Sequence, residues 1–392
     1  MSPTVMIARQ RNRGSWTRAA VMASAMIGGF AQATSANAPA ADGWRMFRGG
    51  PEMHGVARGS LSTDLEVKWS FKTGAPVKSS AVIDKSKLYI GSDDGHIYAI
   101  DARTGEKQWS FKTEDAIEAA PSFIEGRVYI GSNDGRMHCL SADDGTLHWR
   151  YDTMDKIISA ANAVPDESGR AARILFGGYD HKLHCVDIET GKAAWTYETD
   201  NYINGSAAIS EGKTIFGGCD GIIHVVSVED GSKRAEINLG VYIAGTAAIV
   251  GPRAYVGDYD GTFWCVDIDK KEIVWQYRDK QFPFFSSPAV DDKHVVFGGR
   301  DKRLHCLGRE TGKRLWTFAA RRRIDSSPVL CDGKVVVGSD DGRLYMVDLK
   351  DGSELWSYEI GEAVIGSPAV LGGWVFIGAE DGVVYAFGPK DK

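Results

Sequence analysis

From about residue 66 onward, apolar runs of only a few residues alternate with tight-turn signals. Lys87-Leu-Tyr-Ile-Gly91 reads as a strand, Ser92-Asp93-Asp94-Gly95 as a turn, and Ile97 to Asp101 as the next strand. Glycine accepts the positive φ that such turns demand, so Gly95 marks the reversal. A Thr104-Gly105 turn leads into a third strand, Lys107 to Lys112, and Ser79 to Ile83 supplies a fourth ahead of them. Four antiparallel strands make one unit.

The unit repeats. Gly-x-x-Asp-Gly-type turns carry Asp94, Asp134, Asp180, Asp220, Asp260, Asp301, Asp341 and Asp381, at spacings of 40, 46, 40, 40, 41, 40 and 40. Fifteen residues after each of the first seven stands Trp109, Trp149, Trp195, Ala235, Trp275, Trp316 or Trp356. A period near 40 built from short strands is the signature of propeller blades. The last aspartate has no chain left for its tryptophan, whereas Trp69 has no turn of its own. The pattern therefore predicts an all-β, eight-bladed propeller of four-stranded antiparallel blades, its last blade closed by the N-terminal strand Glu66 to Thr73. Closure of this kind removes an open sheet edge. The six extra residues of blade three fall around Pro165 to Ala171, between its first two strands, as a tolerated insertion or a recognition loop.

The stretch Ala99-x-Asp101-x-x-Thr104-Gly105-Glu106-x-x-Trp109 resembles the tryptophan-docking motif of the pyrroloquinoline quinone (PQQ) repeat family. Cys185 to Trp195 and Cys306 to Trp316 match it with cysteine in the alanine place, and Trp44 to Gly55 looks like the lead-in of exported members. The resemblance spans residues 66–387. It implies either a protein-interaction scaffold like the propeller of the outer-membrane-protein assembly machine or a quinoprotein dehydrogenase. On physical grounds alone, Trp69, Trp109, Trp149, Trp195, Trp275, Trp316 and Trp356 are expected to lie between blades with each indole N–H on a backbone acceptor. Ala235, Lys270 and Lys271 depart from the motif, so contacts there should be the loosest.

Cys139, Cys185, Cys265 and Cys306 share a position with Ala99 and Ala386, which predicts a small core slot rather than disulfides or a metal site. His138, His184, His224 and His305 exchange with Tyr98, Trp264, Tyr345 and Tyr385, a packing position, and no metal site is expected. The starts of the innermost strands should ring the channel mouth. These are Lys78, Glu118, Ile158, Asn204, Ala244, Phe285, Asp325 and Ile365. Among them Lys78, Glu118, Asn204 and Asp325 are the candidate ligand-binding residues. The quinoprotein resemblance implies that a carboxylate, an amide and a second carboxylate hold a cation and the quinone, and only Glu118, Asn204 and Asp325 qualify. No adjacent cysteine pair and no long inter-strand insertions accompany them, which favours a scaffold without catalytic residues or cofactor. PQQ with Ca²⁺ belongs to the dehydrogenase alternative. The basic triplet Arg321, Arg322 and Arg323, beside Phe284 of the preceding connection, is a candidate docking patch for a protein partner.

The first 40 residues carry Arg9, Arg11, Arg13 and Arg18, no acid, and an apolar run from Ala19 to Ala31. That is a signal-peptide layout, with 41–65 as a lead-in and 66–392 as the propeller. The run is too short to span a bilayer, and no transmembrane segment is expected. Removing the four arginines takes the formal charge from −6 to −10, which disfavours nucleic acid. The expected location is periplasmic or otherwise extracytoplasmic.

Overall fold

The computed structural model describes residues 43–391, and the expected signal peptide lies outside them. Within that span the strands form eight antiparallel sheets, one per blade. Blade one consists of Val82–Asp84, Lys87–Gly91, His96–Asp101 and Lys107–Lys112. Its second and third strands are buried almost throughout, while the outermost alternates, with Trp109 buried between exposed neighbours. Strands packed on both faces read as unbroken apolar runs, which is why Leu-Tyr-Ile appears where simple alternation would not. The last blade is closed as expected: Leu65–Lys72 pairs antiparallel with Val383–Pro389, placing Trp69 opposite Ala386. The extra residues of blade three form an exposed hairpin loop between Asn162–Pro165 and Ala171–Gly177.

Every expected docking tryptophan is in place. The indole N–H groups of Trp69, Trp109, Trp149, Trp195, Trp275 and Trp316 donate to Ala102, Ala142, Ile188, Val228, Arg309 and Leu349 of the following blade at 2.9–3.3 Å. Trp356 reaches Leu65 O at 3.1 Å and so ties blade seven to the closing strand. Every ring but that of Trp356 lies on the turn glycine of the next blade. A Cβ on Gly105, Gly145, Gly191, Gly231, Gly312 or Gly352 would sit 2.6–2.8 Å from an indole atom. Blade four lacks the tryptophan, and the matching turn of blade five lacks the glycine: Lys271 takes that position at φ 60°. The two departures noted in the sequence thus belong to one interface.

The lead-in has a structural role the sequence did not reveal. Innermost strands leave their channel-facing N–H groups unpaired, as any sheet edge does. Residues 43–57 run along these edges. Trp44 pairs with Ile83, and Arg45 O, Pro51 O, Glu52 O, His54 O and Gly55 O accept from Phe123, Ile209, Ile249, Val290 and Leu330. Arg48 is buried and donates to Pro288 O, Ser327 O and Pro328 O at 2.6–3.2 Å. Burial lowers its pKa to about 9, so it stays charged at neutral pH. Gly55 is required because a Cβ there would lie 2.0 Å from the Arg48 guanidinium.

Candidate functional site

Each connection between blades is hydrogen-bonded to the Asp-Gly turn of the blade it enters: Asp93 N to Pro76 O, Asn133 N to Ala116 O, Tyr179 N to Lys156 O, Cys219 N to Tyr202 O, Tyr259 N to Tyr242 O and Asp340 N to Arg323 O. Connections and turns therefore share one face, and the channel opens there. Just inside, hydroxyls link neighbouring blades. Ser80, Ser367, Ser327, Ser287, Thr246 and Ser206 each accept the backbone N–H of the residue at the same position in the preceding blade or, for Ser206, of Ala160. The chain of hydroxyls ends at Ala120 and Ala160, which have none.

Lys78, Glu118 and Asp325 line a single cavity of about 280 Å³ together with Ile158 and Ile365, and Phe47 of the lead-in reaches it too. Asn204 does not join them, since its amide donates to Cys219 Sγ at 3.0 Å. The charged members are paired. Lys78 Nζ lies 2.7 Å from Asp93 and 3.4 Å from Glu118. Burial opposes the Lys78 charge, but the bond to Asp93 and the fields of Glu118 and Asp93 outweigh it and raise its pKa. Asp325 holds Arg300 at 2.8 Å, and that guanidinium stacks over Phe285 at 3.9 Å. The carboxylate, amide and carboxylate that a cation and quinone would require are thus divided between ion pairs and a thiol contact.

Acids flank the basic triplet, and one of its three guanidiniums is ion-paired. Arg323 contacts Asp340 at 2.5 Å and Asp325 at 3.5 Å. Arg321, Arg322 and Arg323 border a cavity of about 650 Å³ along with Asp340, Asp341, Glu362 and Glu380. Phe284, named as part of this docking patch, is 1% exposed and packs on Phe297 and His305. The sequence signal was available: Phe284 holds the register of Val77, Ile117, Ile157, Ile203, Ile243, Ile324 and Val364, all fully buried. A Cβ on Gly257 would lie 2.5 Å from Phe284 Cβ, as one on Gly91 would meet Ile117. The exposed aromatic of this connection is Phe282.

Sequence reasoning also passed over an arc of large apolar side chains on the same face. Met154, Tyr202, Tyr242, Tyr259 and Phe282 are 88, 40, 54, 40 and 46% exposed. They stand on the connections into blades three to six and on the turn of blade five. Ring contacts knit the tyrosines of this arc to their neighbours, with Tyr179 stacked on Tyr202 at 4.7 Å and Tyr259 against Phe285 at 4.5 Å. Tyr202 and Tyr242 share one repeat position, but the other blades place Pro76, Ala116, Lys156, Pro283, Arg323 and Ala363 there, and Met154, Tyr259 and Phe282 stand at other positions.

All six cysteines are free, and Cys139, Cys185, Cys265 and Cys306 are fully buried as the core slot requires. Burial pushes the Cys185, Cys265 and Cys306 thiols up to about 12. The histidines do more than pack. His184, His224 and His305 each bond the aspartate of their own turn through Nε2 and a tyrosine of the preceding blade through Nδ1. Among the described residues one group of potential metal ligands comes together, Asp279, Asp301 and His305, away from the mouth cavity. Spacing gave no hint of it, because its members come from two blades.

Fold and face define a class: an eight-bladed, tryptophan-docked propeller that presents its loops around one open channel mouth. The chain belongs to the family described as outer membrane protein assembly factor BamB, whose profile matches residues 41–217, 219–323 and 300–391. No curated protein sequence matches it. Among solved structures it resembles BamB from Moraxella catarrhalis, at 18% identity over 84% of this chain and 98% of that one, with a TM-score of 0.71. It also resembles the quinohemoprotein alcohol dehydrogenase from Comamonas testosteroni, at 14% identity over 90% of this chain and 81% of that one, with a TM-score of 0.75. The computationally designed protein Ika8 matches at 19% identity over 80% of this chain and 96% of that one, with a TM-score of 0.71. At these identities the likeness is one of fold, which does not choose between functions. Among the described residues no helix is long and apolar enough to cross a membrane.

Proposed function

We propose that this chain is an exported, non-catalytic docking platform for a protein partner, working in outer-membrane protein assembly in the periplasm. The observation that carries this reading is the arc Met154, Tyr202, Tyr242, Tyr259 and Phe282, exposed on the loops of one face. Clustered exposed tyrosine and phenylalanine on a rigid frame is the composition of interface hot spots, and such a patch is otherwise a liability for a chain free in solution. The family relationship supports the same reading, and the paired charges at the mouth leave the scaffold without an evident nucleophile or base. A photocrosslinker placed at position 242 or 282 in the intact cell envelope is expected to capture one discrete partner, while one at Leu147, on an outer strand, is not. Capture should be lost in a Tyr202→Ala, Tyr242→Ala, Phe282→Ala chain. Absence of an adduct from both positions, with unchanged outer-membrane barrel levels after deletion, would sink the proposal.

The second reading is a PQQ-dependent dehydrogenase, favoured by the presence of Glu118 and Asp325 in one cavity. Calorimetric binding of PQQ with Ca²⁺, abolished by Glu118→Ala or Asp325→Ala and accompanied by alcohol oxidation, would replace the scaffold reading.

A further inference from the structure

The eight turns serve as controls for one another, and the turn of blade six is the exception. In four blades the residue four past the docking tryptophan is threonine: Thr73, Thr113, Thr153 and Thr199. Each hydroxyl donates to a carbonyl in the turn of its own blade, as Thr113 does to Gly95 O at 2.9 Å and Thr199 to His181 O at 3.0 Å. The amide after it can then bond the outer oxygen of the turn aspartate in the next blade. Gly74 N reaches Asp94 Oδ2 at 2.7 Å and Glu114 N reaches Asp134 Oδ2 at 3.1 Å. Arg321 N likewise bonds Asp341 Oδ2 at 2.8 Å, although Ala320 precedes it.

At the junction of blades five and six the residue is Asp279, which has no hydroxyl to donate. Asp301 Oδ2 is left buried with no partner, on a side chain only 2% exposed. One carboxylate oxygen each from Asp279 and Asp301 and one ring nitrogen of His305 lie within 4.8 Å of one another. Two carboxylates so close repel unless a cation or a proton stands between them. Arg303 and Arg314 supply part of that charge at 3.1 and 3.5 Å, but both contact Asp279 Oδ2, and neither reaches the orphaned oxygen of Asp301.

We propose that Asp279, Asp301 and His305 form a binding site for a divalent transition metal of the zinc class. Two carboxylates and an imidazole are the ligand set that Zn²⁺ accepts, with a fourth position left for water. The single nitrogen and few oxygens argue against Ca²⁺ or Mg²⁺, which need six or more oxygen donors including water. The second shell is in place. Tyr277 OH lies 3.2 Å from His305 Nδ1; when an ion displaces the Nε2 hydrogen bond to Asp301, the ring proton can sit on Nδ1 and donate to this hydroxyl, which frees the Nε2 lone pair for the ion. His305 is held between Phe297, stacked at 5.2 Å, and Phe284, so its ring is oriented before an ion arrives. Binding exchanges the Arg303 and Arg314 contacts of Asp279 for the ion. The site joins two blades immediately beside Phe282, and occupancy would brace that part of the exposed arc.

The test uses the full mature chain, stripped with chelator and titrated with Co²⁺ and then Zn²⁺. One equivalent of Co²⁺ is expected to develop a visible d–d spectrum that Zn²⁺ abolishes, with a Zn²⁺-dependent rise in melting temperature. Asp279→Thr restores the residue its sibling blades carry, so it should fold normally and lose both signals. Tyr277→Phe should weaken Co²⁺ binding about 10- to 100-fold through the lost second-shell bond. Asp220→Asn, in a sibling turn, should leave binding unchanged. A chain that develops no Co²⁺ spectrum, or one whose spectrum survives Asp279→Thr, overturns the proposal; survival would place the ion on other histidines.

Discussion

If the tryptophan and the turn glycine are two halves of one lock, restoring both at the blade four–five interface should stabilise the propeller, and restoring one should not. The perturbations are Ala235→Trp, Lys271→Gly and their combination. At the six intact interfaces with a turn glycine, a Cβ would approach the indole to 2.6–2.8 Å, closer than packed carbon atoms tolerate. Ala235→Trp alone therefore meets the Lys271 Cβ, and overpacking of about 1–3 kcal/mol offsets what the ring gains by burial. Lys271→Gly alone relieves a residue held at φ 60° but loosens the unfolded chain, leaving a net change within about 1 kcal/mol. Together the ring can lie on the turn as Trp195 does, and its N–H can reach Ile268 O, the acceptor 33 residues on that Trp69, Trp109, Trp195 and Trp316 use. Burial of the ring and one hydrogen bond are worth about 2 kcal/mol after allowance for residual structure in the unfolded chain. The double-mutant cycle should thus show a favourable coupling near 2 kcal/mol, read by urea denaturation and by slowed amide exchange in Lys233–Asn238 and Glu272–Arg278. Additive effects within about 0.5 kcal/mol would refute the lock.

Three further outcomes follow from individual contacts. His138 is the one relay histidine facing a phenylalanine, Phe111; its Nδ1 is buried without a partner and its Nε2 stands 3.9 Å from Asp134. Phe111→Tyr should add the missing bond and about 1 kcal/mol at pH 8, and an unchanged urea midpoint would argue against a relay. Burial lowers the His138 pKa, so the folded chain keeps it neutral while the unfolded chain takes up a proton below about 6.5. Its contribution to stability is therefore present above that value and is lost as pH falls toward the depressed folded pKa; His138→Phe should flatten that part of the stability–pH curve. In the lead-in, Arg48→Met leaves three buried carbonyls without their donor and should cost about 2–5 kcal/mol, with faster proteolysis within residues 43–61; resistance equal to the parent chain would show that the segment is held by its backbone alone.

The blade count, the closing strand and the tryptophan locks were legible because each is written several times at one spacing, so a single register explains the set. The same register places Phe284 in the buried anchor row, and judging it by its aromatic neighbours instead made it look like surface. Lys78, Glu118 and Asp325 line one cavity, since the start of an innermost strand has only one location in a propeller. Their state was not legible. Lys78 meets Asp93, and Asp325 meets Arg300, across turns whose side chains the repeat leaves free to vary.

What the chain determines by itself is everything that periodicity carries: short strands between glycine turns, a core slot shared by alanine and cysteine, and the pairing of tryptophan with a small turn residue. Those rules are local, repeated and dictated by sterics. Only the tertiary structure decides what happens where different blades or the lead-in meet. It lays residues 43–57 along the inner strand edges, gathers Met154, Tyr202, Tyr242, Tyr259 and Phe282 on one face, and brings Asp279 to Asp301 and His305. These arrangements join residues tens to hundreds of positions apart through single contacts. Each is written once in the sequence, with no second copy against which to read it.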